Sequence, residues 1–123
     1  MLSKEHQAVE NVKNRLNDEI KNNTQCIIVI INEDDSTEIK QEIDYNPELV
    51  FSTKYHTNGI FDLILFNTEA TGFSWSSKFP FSKITINCKN QENEFHVLLS
   101  EVYGETKNDF KSRNIKLIIK KVN

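Results

Sequence analysis

The apolar positions along the chain change period several times, and each change marks an element. Over residues 3–22, Val9, Val12, Leu16 and Ile20 recur at spacings of three and four with Ala8 beside them, while Lys13, Asn14, Asn17 and Asp18 face away. That stripe predicts an amphipathic helix. Ser3 is placed to cap its N-terminus, and Lys21 sits where a cation meets the negative end of the helix dipole. Cys26 to Ile31 is apolar and β-branched throughout, which predicts a central strand covered on both faces. The acidic stretch from Glu33 to Asp44 then reads as a loop, with Glu38 to Ile43 as an optional short strand.

Two alternating runs, Leu49 to Thr57 and Ile60 to Asn67, flank Asn58-Gly59, a dipeptide that supplies the positive φ angles of a type I′ turn. A two-residue loop sets Tyr55 opposite Asp62, Thr53 opposite Ile64 and Phe51 opposite Phe66, with His56 and Asp62 on different faces. Residues 68–81 read as a Ser- and Thr-rich connection that carries four aromatics. Lys83 to Lys89 is a strand. Residues 94–103 fit both an alternating strand and a helix ending at Gly104, with the residue types favouring the strand. Asn114 to Val122 closes the series as an outer strand with Ile115, Leu117 and Ile119 on one face. The pattern predicts one α+β domain over residues 1–123, an N-terminal amphipathic helix packed on a five- to six-stranded, mainly antiparallel sheet.

Composition narrows the class. The 123 residues are 37% hydrophobic and 27% charged, with eight Phe, three Tyr and one Trp, too apolar for a disordered chain. A chain of this length buries enough surface to fold without a metal or disulfide. Cys26 and Cys88 are too few for a secreted, bridge-stapled scaffold, so free buried thiols are expected, with one bridge between neighbouring strands as the alternative. Residues 1–10 have no apolar leader character, and the longest apolar run has six residues, far short of a membrane span. A cytoplasmic protein without membrane association is the expectation. The net charge of −3 hides two segments of opposite sign. Glu33, Asp34, Asp35, Glu38, Glu42, Asp44 and Glu48 face Lys40 alone, whereas Lys107, Lys111, Arg113, Lys116, Lys120 and Lys121 outnumber Glu105 and Asp109. If the fold parts the two stretches, the molecule has an acidic and a basic side.

The candidate chemistry is sparse. His6, His56 and His96 lack the paired spacing of a metal site. His56 and His96 could still meet across a sheet as a hydrolase or nuclease pair with a carboxylate such as Asp62, although three independent histidines are the blander expectation. No Gly stands between Thr24 and Asn58, so the acidic run lacks the turn of a calcium loop. Phosphate-cradling Gly-rich loops are absent, and Gly72-Phe73-Ser74 has Ser76 where a nucleophile elbow needs Gly. No cofactor and no metal are expected, and with an acidic sequence pI of about 5.6 nucleic acid is not an expected ligand.

What remains points to protein binding. Phe73, Trp75, Phe79 and Phe81 fall within nine residues, either as recognition anchors or as a plug for one end of the core. The expectation is therefore a binding module that inhibits a basic protein partner, of the bacterial immunity-protein or phage-inhibitor type. Glu33, Asp34, Asp35, Glu38, Trp75 and Phe79 are its contact residues, within an acidic loop 33–48 and an aromatic loop 73–81. A small hydrolase using His56 and His96, or a subunit of a larger assembly, is the alternative.

Overall fold

The structure is a computed structural model that describes residues 4–22, 25–34, 37–57, 59–67, 71–78, 82–104 and 109–122. Ser3, Asp35, Asn58, Phe79 and Phe81, singled out above, lie outside the described residues. One helix, α1 (Lys4–Asn22), precedes eight strands: β1 (Ile27–Asp34), β2 (Thr37–Asp44), β3 (Val50–Tyr55), β4 (Phe61–Phe66), β5 (Thr71–Ser76), β6 (Ser82–Gln91), β7 (Glu94–Tyr103) and β8 (Lys111–Lys120). The α+β class and the helix are as the pattern predicts. The sheet is not single: the strands divide into a five-stranded sheet, β2-β1-β8-β7-β6, and a three-stranded sheet, β3-β4-β5, with every pairing antiparallel.

Three strand expectations change. The acidic stretch is a hairpin rather than a loop, because Glu33 and Asp34 end β1 and Thr37–Asp44 forms a full edge strand along it. Residues 71–76 form β5, whose alternation of Phe73 and Trp75 with Ser74 and Ser76 is that of a half-buried strand. The basic β8 is the middle strand of its sheet, not an outer one. It pairs with β1, setting Lys116 beside Ile31 and Asn114 beside Glu33. The acidic and basic stretches therefore lie side by side. Residues 94–103 are strand β7.

The two sheets and the helix share one core. Ile28, Ile30, Phe95, Val97, Leu99, Ile115, Leu117 and Ile119 come from the larger sheet, and Phe51, Phe61, Leu63, Leu65, Phe73 and Trp75 from the smaller. Val9, Leu16 and Ile20 of α1 complete it. Burying side chains of this size is worth about 1.5–3 kcal/mol each against exposure, so helix and sheets depend on one another. Cys26 is buried and Cys88 exposed, and both are free thiols.

The β3–β4 register differs by one residue from that implied by the turn dipeptide. Tyr55 opposes Phe61, Lys54 opposes Asp62 and Phe51 opposes Leu65. The His56 amide bonds the Ile60 carbonyl at 2.8 Å, and the Gly59 amide the His56 carbonyl at 3.2 Å. The loop is thus three residues, 57–59, with Gly59 at φ 87°, the pattern of a turn followed by a left-handed glycine. Side-chain periodicity explains the outcome. Only this register gathers Phe51, Tyr55, Phe61, Leu63 and Leu65 on one face, and a slip by one would send half of them to solvent.

Helix α1 lies against β3, the edge of the smaller sheet. The Asn17 amide donates to the Phe51 carbonyl at 2.9 Å, and the Phe51 amide donates to Asn17 Oδ1 at 2.7 Å, so one side chain stands in for a neighbouring strand. About two turns earlier, Glu10 accepts from Lys13, from Tyr55 Oη at 2.7 Å and from Thr53 Oγ1 at 2.8 Å. Lys13, then Tyr55, hold its carboxyl down at about 2. Burial, together with the Glu10 charge, pushes the Tyr55 hydroxyl up to about 12.

Candidate functional site

The β1–β2 hairpin carries most of the sequence-predicted contact residues. Glu33 and Glu38 oppose each other across the two strands, and Asp34 follows beside Thr37. Like charges in direct cross-strand register cost a few tenths of a kcal/mol or more. Among the described residues none of these three carboxylates forms an ion pair; the hairpin's one pair joins Lys40 to Glu42 at 3.6 Å, well exposed and of small worth. Every β2 residue but Ile43 is exposed. Ile39 is 62% exposed and borders a groove of about 330 Å³ lined by Ile30, Asn32, Gln41, Gly72, Phe73 and Ser74. Sequence reasoning missed Ile39 as a surface residue, because an isoleucine in an alternating strand reads as core.

Trp75 is not an exposed contact residue. It is 5% exposed, meets Phe61 at a tilt with ring centroids 5.6 Å apart and lies under the Arg113 guanidinium at 4.6 Å. Beside it, Glu101 is fully buried and pairs with Arg113 at 2.8 Å. Glu101 also accepts the Lys78 amide at 3.1 Å, and Arg113 donates to the Ser76 carbonyl. The end of β5 is thereby clamped to the larger sheet. Phe73 is buried too, so the described part of the aromatic segment closes the core.

The histidines stand apart. His6 bonds the Gly59 carbonyl at 3.0 Å and stacks on Tyr55 at 4.5 Å. His96 pairs with Glu94 at 3.0 Å on the outward face of the larger sheet. His56 belongs to the outward face of the smaller one, so a His56–His96 pair does not assemble. The revised register does bring His56 onto the face of Asp62, at 2.9 Å, and Ser76 reaches the same carboxylate at 2.5 Å. They border an open pocket with Tyr55, Thr57 and Ile60. Their order defeats nucleophilic catalysis. The carboxylate lies between hydroxyl and imidazole, so His56 cannot take the Ser76 proton as a catalytic base must. Ser76, and next His56, lower the Asp62 carboxyl from its ordinary range, making it a weaker base still. The cluster ties the loop after β3 to β4 and β5.

Among the described residues no group of three or more metal-ligating side chains assembles, and no helix is long and apolar enough to cross a membrane. In comparisons with protein-family models, curated proteins and solved structures, nothing matches this chain.

Proposed function

We propose that this chain is a small protein-binding module that blocks a basic partner, in the manner of a bacterial immunity protein or a phage-encoded inhibitor. The contact surface is the acidic β1–β2 hairpin. The observation that carries the reading is the facing pair Glu33 and Glu38, carboxylates that cost stability in register and form no ion pair among the described residues. A lysine- or arginine-lined cleft would relieve that repulsion while losing its own access to substrate or nucleic acid. The two paired strands fix the backbone that carries the carboxylates, and their shared sign speeds encounter with a cationic surface. Trp75, buried between Phe61 and Arg113, is no anchor for the partner in this proposal.

The test is retention of a partner from the source cell's lysate by the tagged protein, its E33K/E38K variant and an H56A control, at low and moderate salt. The expected result is one basic protein held by the wild type and the control, lost from the charge-reversed variant and weakened by salt. With the captured protein purified, association should slow by about tenfold or more between low and moderate salt. Equal retention by E33K/E38K, or association rates indifferent to salt, would overturn the reading.

A further inference from the structure

The unpartnered edge of β2 has a charge order that favours one particular occupant. β2 ends the five-stranded sheet, and no described strand lies beyond it. The Tyr45 amide bonds the Cys26 carbonyl at 3.0 Å, continuing the β1–β2 register. In an antiparallel ladder the hydrogen-bonding direction alternates by residue. Residues 37, 39, 41 and 43 therefore bond inward to β1, while the backbone groups of Glu38, Lys40, Glu42 and Asp44 point outward from the edge. Such an edge is a template for a further strand.

We propose that this edge pairs antiparallel with β2 of a second copy of the chain, about a two-fold axis through Ile39. In that register Glu38 of each copy opposes Lys40 of the other, twice by symmetry, and Thr37 opposes Gln41. Ile39, 62% exposed in the single chain, packs on its own equivalent. Both copies turn the same sheet face to the same side, so the grooves lined by Ile39, Gly72 and Phe73 join beneath the paired isoleucines. Registers displaced by two residues keep the same outward backbone groups but lose the charge match. One sets Lys40 against Lys40 and Glu38 against Glu42; the other sets Glu38 against Glu38. The register displaced by four, with its axis at Gln41, sets Lys40 against Glu42 but adds Glu38 against Asp44. Opposite charges facing across strands favour pairing and like charges oppose it, so the axis at Ile39 is the one that matches charges within β2 without a like-charge pair. A two-fold interface of this kind is closed, using the same patch twice, and it stops at two copies.

The pairing shares Glu38 with the contact proposed above. Glu33, Asp34, Glu42 and Asp44 stay outside the two Glu38–Lys40 pairs, and the dimer would place two acidic hairpins on one continuous sheet. Sedimentation equilibrium of the purified full chain from micromolar to millimolar concentration tests the proposal, with E38K, K40E and E38K/K40E beside the wild type. The wild type is expected to dimerise. Each single change sets like charges opposite each other twice and should weaken the dimer by about tenfold or more, whereas the double change exchanges the signs and should restore it to within about threefold. These positions are exposed, so far-UV circular dichroism should be unchanged throughout. A wild type that stays monomeric at every concentration overturns the proposal, as does a dimer that the single changes leave intact or that the double change fails to restore. Because E33K/E38K alters both contacts, K40E, which leaves Glu33 and Glu38 in place, tells them apart in the lysate experiment: it should lose the dimer and keep the basic partner.

Discussion

Replacing Arg113 by Met should destabilise the fold strongly. Glu101 is 0% exposed, and its carboxylate has two described partners, Arg113 at 2.8 Å and the Lys78 amide at 3.1 Å. Met keeps the stem that covers Trp75 but leaves a buried charge with a single neutral donor. Removing one partner of a buried pair costs about 3–5 kcal/mol, because the remaining charge is neither solvated nor paired. Loss of the cation over the Trp75 and Tyr103 rings adds about 0.5–1 kcal/mol. A domain of this size has about 5–15 kcal/mol in total. At roughly 4 °C per kcal/mol the melting temperature should fall by roughly 14–24 °C. The double variant E101L/R113M provides the check, since it removes both charges. It leaves the Lys78 amide and the Ser76 carbonyl without their partners, at about 1 kcal/mol each, so it should be clearly more stable than R113M. Urea unfolding of the wild type, both single variants and the double variant closes the cycle. If R113M costs under about 1 kcal/mol, or the double loss equals the sum of the singles, the clamp is not an ion pair that matters.

Two further outcomes follow from the helix–sheet contact. Asn17→Ala removes both hydrogen bonds to Phe51 and should cost about 2 kcal/mol, with faster hydrogen exchange at the Phe51 amide. A loss under about 0.5 kcal/mol would show that the amide does not substitute for a strand. Glu10, held down at about 2, has a folded-state pKa below the unfolded value. Its contribution, on the order of 2 kcal/mol, is full above about pH 4.5 and is lost as pH falls towards about 2. Denaturant midpoints of the wild type should fall across that window more steeply than those of E10Q, and parallel curves would remove Glu10 from the account.

How much of this was legible in the sequence depends on the range of the signal. The α1 stripe is a local signal: Val9, Leu16 and Ile20 are buried and Val12 half-buried, although Ala8 is exposed and Asn17, read as facing away, bonds β3. Phe95, Val97 and Leu99 alternate within β7, where residue type decided against helical spacing. The hairpin register failed because the Asn-Gly preference is a local term, whereas the apolar face of Phe51, Tyr55, Phe61 and Leu63 is a collective one. The division into two sheets left no local mark, since Ile84 and Leu63 alternate alike whichever sheet receives them. The central place of β8 was hidden because Lys116 and Lys120 occupy the outward face, as lysines of an edge strand would. At the candidate site the carboxylates of Glu33 and Glu38 were visible as composition. Their direct opposition, the burial of Trp75 and the exposure of Ile39 needed the pairing of strands that only the folded chain supplies.

The position of β8 also sets the order in which the molecule can be made. β1 and β7 are both neighbours of β8, the strand that follows every other in the chain. Until it emerges from the ribosome, the larger sheet exists as two separate hairpins, β1–β2 and β6–β7, each with an apolar face uncovered. The run Ile27 to Ile31 must wait through the synthesis of some eighty residues, up to Lys116 opposite Ile31, for its second neighbour. Contacts so distant in sequence make folding slow, and the nascent hairpins present open strand edges to one another and to other chains. Synthesis is therefore the stage at which the apolar faces of these hairpins are most open to association. A truncation that removes β8 would leave the chain as two sticky halves, not a shortened fold.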